Sequence, residues 1–332
     1  MDSIHQQNII HLASLDDIKA FYEEHEQFIN PTYIFLWSCT NGRLDVAQWL
    51  YSLETVNTRK WFRRKIVNIS ADQDHAFRRA CENGHLHVAQ WLYSLKNTGS
   101  IGWRIFSRLF LKHIDIHTMN DYAFRRSCEN GHSHVAKWLY SLGGVNIHAM
   151  EEYAFRNSCI QGHLNIAQWL YSLENIDVNA NMDIAFRYSC ASGQLNVVQW
   201  LHSLGNISAY VYSGSAFVWS CQFGHLNVAQ WLYSLEFIDI HKDNEYIFRW
   251  NCKHGNLHIA QWLFSLGNVN IHAMVDYAFR HSCENGHLNV AQWLASICDD
   301  YIVINTVPIT YKIDKFNRFT WFININTFLF IF

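Results

Sequence analysis

The 332-residue sequence predicts an all-α fold, a solenoid of helix-turn-helix repeats, and three observations predict it. A glycine returns at Gly42, Gly84, Gly131, Gly162, Gly193, Gly224, Gly255 and Gly286; the first two intervals are 42 and 47 residues, and every later one is 31. A cysteine stands three residues before each glycine and a tryptophan seven after it, from Cys39 and Trp49 to Cys283 and Trp293. Between these markers the apolar residues keep helical spacing. A period of this length marks an array whose members bury their apolar faces only against their neighbours, here with about eight motif-bearing repeats.

One repeat is clearest at 122–142, YAFRRSCENGHSHVAKWLYSL. Its first helix is expected over 121–128, where Ala123, Phe124, Ser127 and Cys128 recur at one-turn spacing and Asp121 favours the amino-terminal end. Asn130-Gly131 supplies the left-handed conformation that closes a helix. A second helix is expected over 134–142, with Val135, Ala136, Trp138, Leu139 and Leu142 forming a broad apolar face. Helices of about nine residues are unstable alone, so stacking must supply most of their stability. The following run, Gly143-Gly144-Val145-Asn146-Ile147-His148-Ala149-Met150, reads as the loop to the next repeat.

The phrases ENGHSHVAKWL at 129–139, QGHLNIAQWL at 161–170, FGHLNVAQWL at 223–232 and ENGHLNVAQWL at 284–294 resemble the middle of the ankyrin repeat. Val178-Asn179-Ala180 echoes that family's loop. The flavour is similar to the divergent ankyrin arrays of giant viruses that infect amoebae, in which the ending WLYSL is common. The resemblance covers about residues 33–297. It implies a protein-binding array, and the viral flavour implies interference with host proteins in the host cytoplasm. Two departures are informative. Arg125, Arg156, Arg187, Arg249 and Arg280 stand where the family places a loop-bracing histidine, and the period is 31 rather than the usual 33. The missing residues fall in the loop, so the family's projecting hairpins are expected to be shortened or absent.

In chain order, residues 1–32 read as a degenerate, more polar capping repeat, with Leu15 to Tyr22 imitating Leu44 to Leu50 but lacking the cysteine and glycine. Residues 33–297 form the array. Two insertions, near 57–68 and 98–113, lengthen its first intervals. Between 55 and 112 there are 11 Lys or Arg and 3 Asp or Glu, a local +8; the whole chain is -3, so the remainder carries -11. The insertions add Trp61, Arg63, Arg64, Trp103, Arg104 and Arg108, a pattern that suits an acidic protein partner, a solvated extension, or phosphate on nucleic acid or an anionic membrane.

Further along, an acidic residue lies four before the repeat arginine in Asp74/Arg78, Asp121/Arg125, Glu152/Arg156, Asp183/Arg187, Glu245/Arg249 and Asp276/Arg280. That order is the favoured one on a helix. Around Gly224 both are lost, leaving Gly214 and Val218. Each pair therefore serves one another or a neighbouring repeat, or the arginines form a ligand-binding stripe. The loop before that repeat carries Tyr210 and Tyr212, either contact residues or covers for exposed core. Residues 298–332 break the pattern: 301–305 and 320–332 read as extended and β-forming, with no polar carboxy-terminal cap discernible.

Enzymatic chemistry is not expected. No phosphate loop, dinucleotide fingerprint or zinc-protease helix occurs, and serines repeated beside every cysteine do not suit a single triad. In Cys81/His85, Cys128/His132 and their equivalents a glycine separates thiol from imidazole, so no metal or cofactor is expected there. The series His117, His148, His241 and His272 reads as a loop brace. Eight cysteines are the repeat position and are expected as buried thiols in a reducing compartment, with Cys298 outside the rhythm. The start of the chain lacks the basic and apolar regions of a signal peptide, no run of eighteen apolar residues is present, and no small-molecule substrate is implied. The expectation is a cytoplasmic, non-enzymatic protein-protein interaction scaffold with a preformed concave surface. Trp61, Arg63, Arg64, Trp103, Arg104, Arg108, Tyr210 and Tyr212 are its contact candidates. The alternative is a phosphate-directed binding module for nucleic acid or anionic membrane.

Overall fold

The computed structural model of the protein describes residues 8–9, 11–25, 28–56, 69, 71–95, 114–173, 176–205, 214–235, 238–301, 303–304, 312–313 and 319–322. They form two compact bodies, Met1–Asn181 and Met182–Phe332. In the first, the helices are α1 (Leu15–His25), α2 (Pro31–Thr40), α3 (Leu44–Val56), α4 (Ala71–Glu82), α5 (Leu86–Ser94), α6 (Thr118–Glu129), α7 (Ser133–Ser141), α8 (Ala149–Ile160) and α9 (Leu164–Leu173). Helix α10 (Ala180–Ala191) begins at the boundary. The second body continues with α11 (Leu195–Ser203), α12 (Ser215–Gln222), α13 (Leu226–Leu235), α14 (Lys242–Lys253), α15 (Leu257–Ser265), α16 (Ala273–Glu284) and α17 (Leu288–Ile297). Both bodies are all-α repeats of helix-turn-helix units. Three short strands follow: β1 (Val303–Ile304), β2 (Lys312–Ile313) and β3 (Phe319–Phe322). β3 lies between the other two, parallel to β1 with Val303 opposite Trp321 and antiparallel to β2 with Lys312 opposite Thr320.

Each repeat is built on the residues that recur. Val135, Ala136 and Leu139 of α7 and Ala123, Phe124, Ser127 and Cys128 of α6 are all buried, as are their counterparts in the other repeats. The eight repeat cysteines are buried and unbonded to one another. Burial pushes the Cys39 thiol up to about 12 and raises the others as well, which keeps them protonated.

Neighbouring repeats are joined in three ways. The tryptophan of each second helix packs against the phenylalanine and tyrosine of the repeat before it: Trp138 lies 6.3 Å from Phe77 and 5.9 Å from Tyr93, and Trp169 lies 6.2 Å from Phe124 and 5.8 Å from Tyr140. In the second body Trp262 meets Phe217 and Tyr233, and Trp293 meets Phe248 and Phe264. The contacts to the second-helix Tyr93, Tyr140, Tyr233 and Phe264 are edge-on, the favourable arrangement for aromatic quadrupoles. Second, the buried Ser127 and Ser158 hydroxyls donate to the Cys81 and Cys128 carbonyls of the preceding repeat, at 3.1 and 3.2 Å. Third, the turn histidine seats against the preceding turn glycine. A Cβ on Gly131, at φ +82, would lie 2.6 Å from His163, and one on Gly84 would lie 2.5 Å from His132. Burial lowers the pKa of His85 and His132, so these rings are neutral packing elements.

The first helix, expected to begin at 121, begins instead at 118 with an unusual backbone. In α4, α6, α8, α14 and α16 three consecutive non-glycine residues are left-handed, for example Met119, Asn120 and Asp121 at φ +57, +55 and +56. Each such residue costs roughly 1–2 kcal/mol relative to the right-handed form. The repeat arginine compensates. Arg125 donates from Nε to the Asn120 carbonyl at 2.7 Å and from Nη2 to the Met119 carbonyl at 2.9 Å. Arg78, Arg249 and Arg280 make the same fork on their own turns.

The acid four residues earlier turns elsewhere. Asp121 accepts from the Asn146 backbone N–H of the next repeat at 3.1 Å and faces His117 Nδ1 at 2.7 Å; Asp74 accepts from Asp115 N–H, and Glu245 from Asn270 N–H. The acid's hydrogen bond reaches the neighbouring repeat, and the arginine's hydrogen bonds hold its own turn. Around Gly224, where both are missing, α12 starts directly after Gly214, which is left-handed at φ +83.

The ends are closed by different devices. In α1, Ser14 Oγ accepts from Asp17 N–H at 3.0 Å, and Tyr22 packs edge-on to Trp49 of α3 at 5.3 Å. At the other end a cap does exist. Tyr301 stacks on Phe279 at 4.1 Å, and its hydroxyl donates to Asp276 at 2.7 Å. The phenolic group thus replaces both the tryptophan and the loop N–H of a following repeat.

Two outcomes follow for stability. Gly131→Ala is expected to lose about 2–4 kcal/mol, because it adds a clash with His163 to the left-handed strain, whereas Gly143→Ala, with nothing within 4 Å of its added Cβ, should lose only about 1 kcal/mol. Adding His163→Ala to Gly131→Ala should show coupling in a denaturation double-mutant cycle. Val275 is β-branched, left-handed at φ +57 and 74% exposed. Val275→Asn is therefore expected to stabilise by about 1 kcal/mol and raise the melting temperature.

Candidate functional site

The repeats differ from one another mainly on one face of the first helix. Positions equivalent to Tyr122, Arg126 and Glu129 lie about one turn apart, on the face next to the buried Phe124 and Cys128 stripe. The core residues beside them hardly change, while Arg126 becomes Asn157, Tyr188, Trp219, Trp250 and His281 in successive repeats. Freedom from the packing constraint is what lets a repeat protein specialise this face.

In the first body the face is a charged and phenolic network. Arg126 reaches Glu82 of the preceding repeat at 2.9 Å and also pairs with Glu129, and Arg79 meets Glu82 at 2.9 Å. Tyr122 donates to Glu82 at 3.2 Å, and Tyr153 donates to Glu129 at 2.7 Å. The Glu82 side chain is only 6% exposed. Burial pushes its pKa up, but the Arg126 and Arg79 guanidinium groups outweigh burial and hold it below the usual glutamate value. Burial opposes the Arg126 charge, yet its bonds to Tyr153 and Glu82 raise its pKa on balance.

The equivalent face of the second body is aromatic. Tyr188 lies 5.4 Å from Trp219, Tyr246 lies 6.1 Å from Trp250, and Trp250 stacks on His254 at 4.0 Å. Tyr188 is 44% exposed and Tyr246 37%. Among the described residues Trp250 Nε1 has no acceptor although it is buried. At the next turn, Phe223 is 63% exposed. It occupies the position of Asn130 and Asn285, whose side chains donate to a carbonyl of the preceding repeat. Here an inter-repeat hydrogen bond has given way to an exposed aromatic ring.

The arginine stripe is not a free anion site. Besides forking over its own turn, Arg78 lies over the Tyr122 ring at 5.1 Å, Arg125 over Tyr153 at 4.7 Å and Arg249 over Tyr277 at 5.0 Å. The contact candidates Trp61, Arg63, Arg64, Trp103, Arg104, Arg108, Tyr210 and Tyr212 all lie outside the described residues. Spacing alone missed the first-helix face. The signal was present in the changing residue at the Arg126 position, read down the repeats. Among the described residues no helix is long and apolar enough to cross a membrane.

No family model matches the chain, and no curated protein matches it. Among solved structures it is similar to the human ASB11 ankyrin repeat domain, at 13% identity and a TM-score of 0.42, over 74% of this chain and 95% of that chain.

Glu82 yields a prediction with a definite sign. A carboxylate whose folded pKa is depressed contributes stability above its unfolded pKa, and that contribution is lost as pH falls through the folded value. Glu82→Gln is expected to cost about 1–3 kcal/mol at neutral pH. The gap from the parent protein should narrow as pH drops below about 4, measured by chemical denaturation across pH.

Proposed function

We propose that the chain is a non-enzymatic protein-binding scaffold of the ankyrin type, which recognises its partner through the first-helix faces. The observation that carries this reading is the contrast within the repeat: one buried stripe that stays small or apolar with few changes, beside one face that changes from paired charges to exposed aromatics. Tyrosine, tryptophan and arginine dominate interface energetics, the first two because they bury large areas with few rotatable bonds and arginine through its planar, multiply donating guanidinium. Here they sit on short helices already fixed by their neighbours, so little ordering cost is added on binding.

The insertion residues Trp61, Arg63, Arg64, Trp103, Arg104 and Arg108, with Tyr210 and Tyr212, belong to the same proposal as additional contacts. Their +8 stretch favours an acidic partner. The same charge also supports the second reading, a surface for phosphate on nucleic acid or an anionic membrane, whose affinity would fall steeply with salt. The resemblance to arrays of amoeba-infecting viruses extends the proposal to host proteins in the cytoplasm. The buried, unbonded thiols suit that compartment.

The test uses the intact chain, a Tyr188→Ala/Tyr246→Ala variant and a chain with both insertions trimmed to the 31-residue period, all checked for equal helicity. Partners are captured from lysate and the affinity of each is then measured at two salt concentrations. Loss of at least about tenfold in affinity with the double tyrosine variant, and only a modest salt effect, is the expected result. If the tyrosine variant keeps every partner at full affinity, the first-helix face is not the site. Loss only on trimming, with a steep salt dependence, assigns binding to the phosphate-directed reading.

A further inference from the structure

The last repeat ends in a segment unlike any other. Cys298-Asp299-Asp300-Tyr301 stands where an internal repeat has Gly143-Gly144-Val145-Asn146. The substitution brings three different metal-binding atoms together. Cys298 Sγ lies 3.9 Å from His272 Nε2, and these two atoms and a carboxylate oxygen of Asp300 all lie within 4.8 Å of one another. His272 belongs to the loop-bracing series, and its Nδ1 faces Asp276 Oδ1 at 2.7 Å. With the carboxylate as acceptor, the proton sits on Nδ1. Nε2 is then the ring atom that faces the thiol.

We propose that His272, Cys298 and Asp300 form a zinc-class metal site, with Asp276 as the carboxylate that orients the histidine. The donor set of imidazole, thiolate and carboxylate selects zinc or a similar borderline-soft ion over calcium or magnesium, which take oxygen ligands. Bond lengths of about 2.3 Å to sulfur and 2.0–2.1 Å to nitrogen in a tetrahedral site place those two atoms about 3.5 Å apart, so only a small contraction is needed. The histidine-carboxylate pair is the outer-shell arrangement that fixes ring tautomer and direction in metal sites. One thiolate and one carboxylate neutralise a divalent ion, and the thiol proton is released on binding.

Access separates this thiol from the rest. His272 and Asp300 are exposed and Cys298 is half-buried, whereas the eight repeat cysteines are buried in the core. Three protein ligands leave a fourth position for water. A bound ion would tie the loop before α16 to the segment after α17, across 26 residues, and clasp the terminal repeat where Tyr301 already closes it. Among the described residues the other loop histidines do not join such a cluster: His117 Nε2, for example, faces Gly144, where an added Cβ would lie 3.1 Å away.

The test titrates cobalt(II) into the reduced, metal-free full chain and then displaces it with zinc. The expected result is equimolar binding, a thiolate-to-cobalt charge-transfer band with intense tetrahedral visible bands, and a rise in melting temperature with zinc. Cys298→Ser should abolish the charge-transfer band. Asp300→Asn, which keeps the thiol, should weaken binding about tenfold or more. Asp299→Asn should bind like the parent protein, and all variants should keep the parent helicity. Absence of the charge-transfer band in the parent protein, its persistence in Cys298→Ser, or an unchanged affinity in Asp300→Asn would overturn the proposed site.

Discussion

Everything in this chain depends on the burial of one repeat against the next. Helices of nine to twelve residues do not persist in water by themselves, and none of those described here spans more than thirteen. The contact that supplies the missing stability is specific as well as apolar. Trp138 on Phe77 and Tyr93, Ser127 on the Cys81 carbonyl and His132 on Gly84 all connect the same two repeats. The indole needs a flat partner, the hydroxyl needs a carbonyl and the imidazole needs a missing Cβ. Together they set one register between neighbours.

That register lets five of the repeats carry an unfavourable backbone segment among the described residues. Three left-handed residues in a row are costly, and they recur five times among the described residues. The guanidinium fork of Arg125 ties down two carbonyls of the turn, and the turn then aims Asp121 at the next repeat's loop N–H. Arginine suits this place because its fork is planar and always charged; lysine would offer a point charge in its place. The turn, the arginine and the acid act as one device; before α12 the acid and the arginine are replaced together by Gly214 and Val218.

With the interior so constrained, variation falls outside the core, on the first-helix face, in the connecting loops and in the first and last repeats. The first body uses its face for paired charges around Glu82 and Arg126, and the second uses its face for exposed rings such as Tyr188 and Tyr246. The terminal repeat differs again. Tyr301 covers Phe279 where a tryptophan would come next, and the residues before it replace a glycine pair with groups able to hold a metal.

The sequence by itself determined the repeat, its helices, its buried cysteines and its core, because a 31-residue period and one-turn apolar spacing are properties of the chain's own order. Even the link between acid and arginine was legible at Gly214 and Val218, where both vanish. Its meaning was not. Met119, Glu151 and Val275 have no preference for left-handed backbone, so no residue type announced the turn that Arg125, Arg156 and Arg280 hold. The first-helix face was only half legible: its residues vary visibly, but which of them remain exposed depends on the neighbouring repeat. Tertiary structure alone decided that Asp121 serves the next repeat, that Tyr301 replaces a missing one and that Cys298 meets His272. Those partners lie some 25 residues apart in the chain, and only the stacking of helices brings their polar atoms within bonding distance.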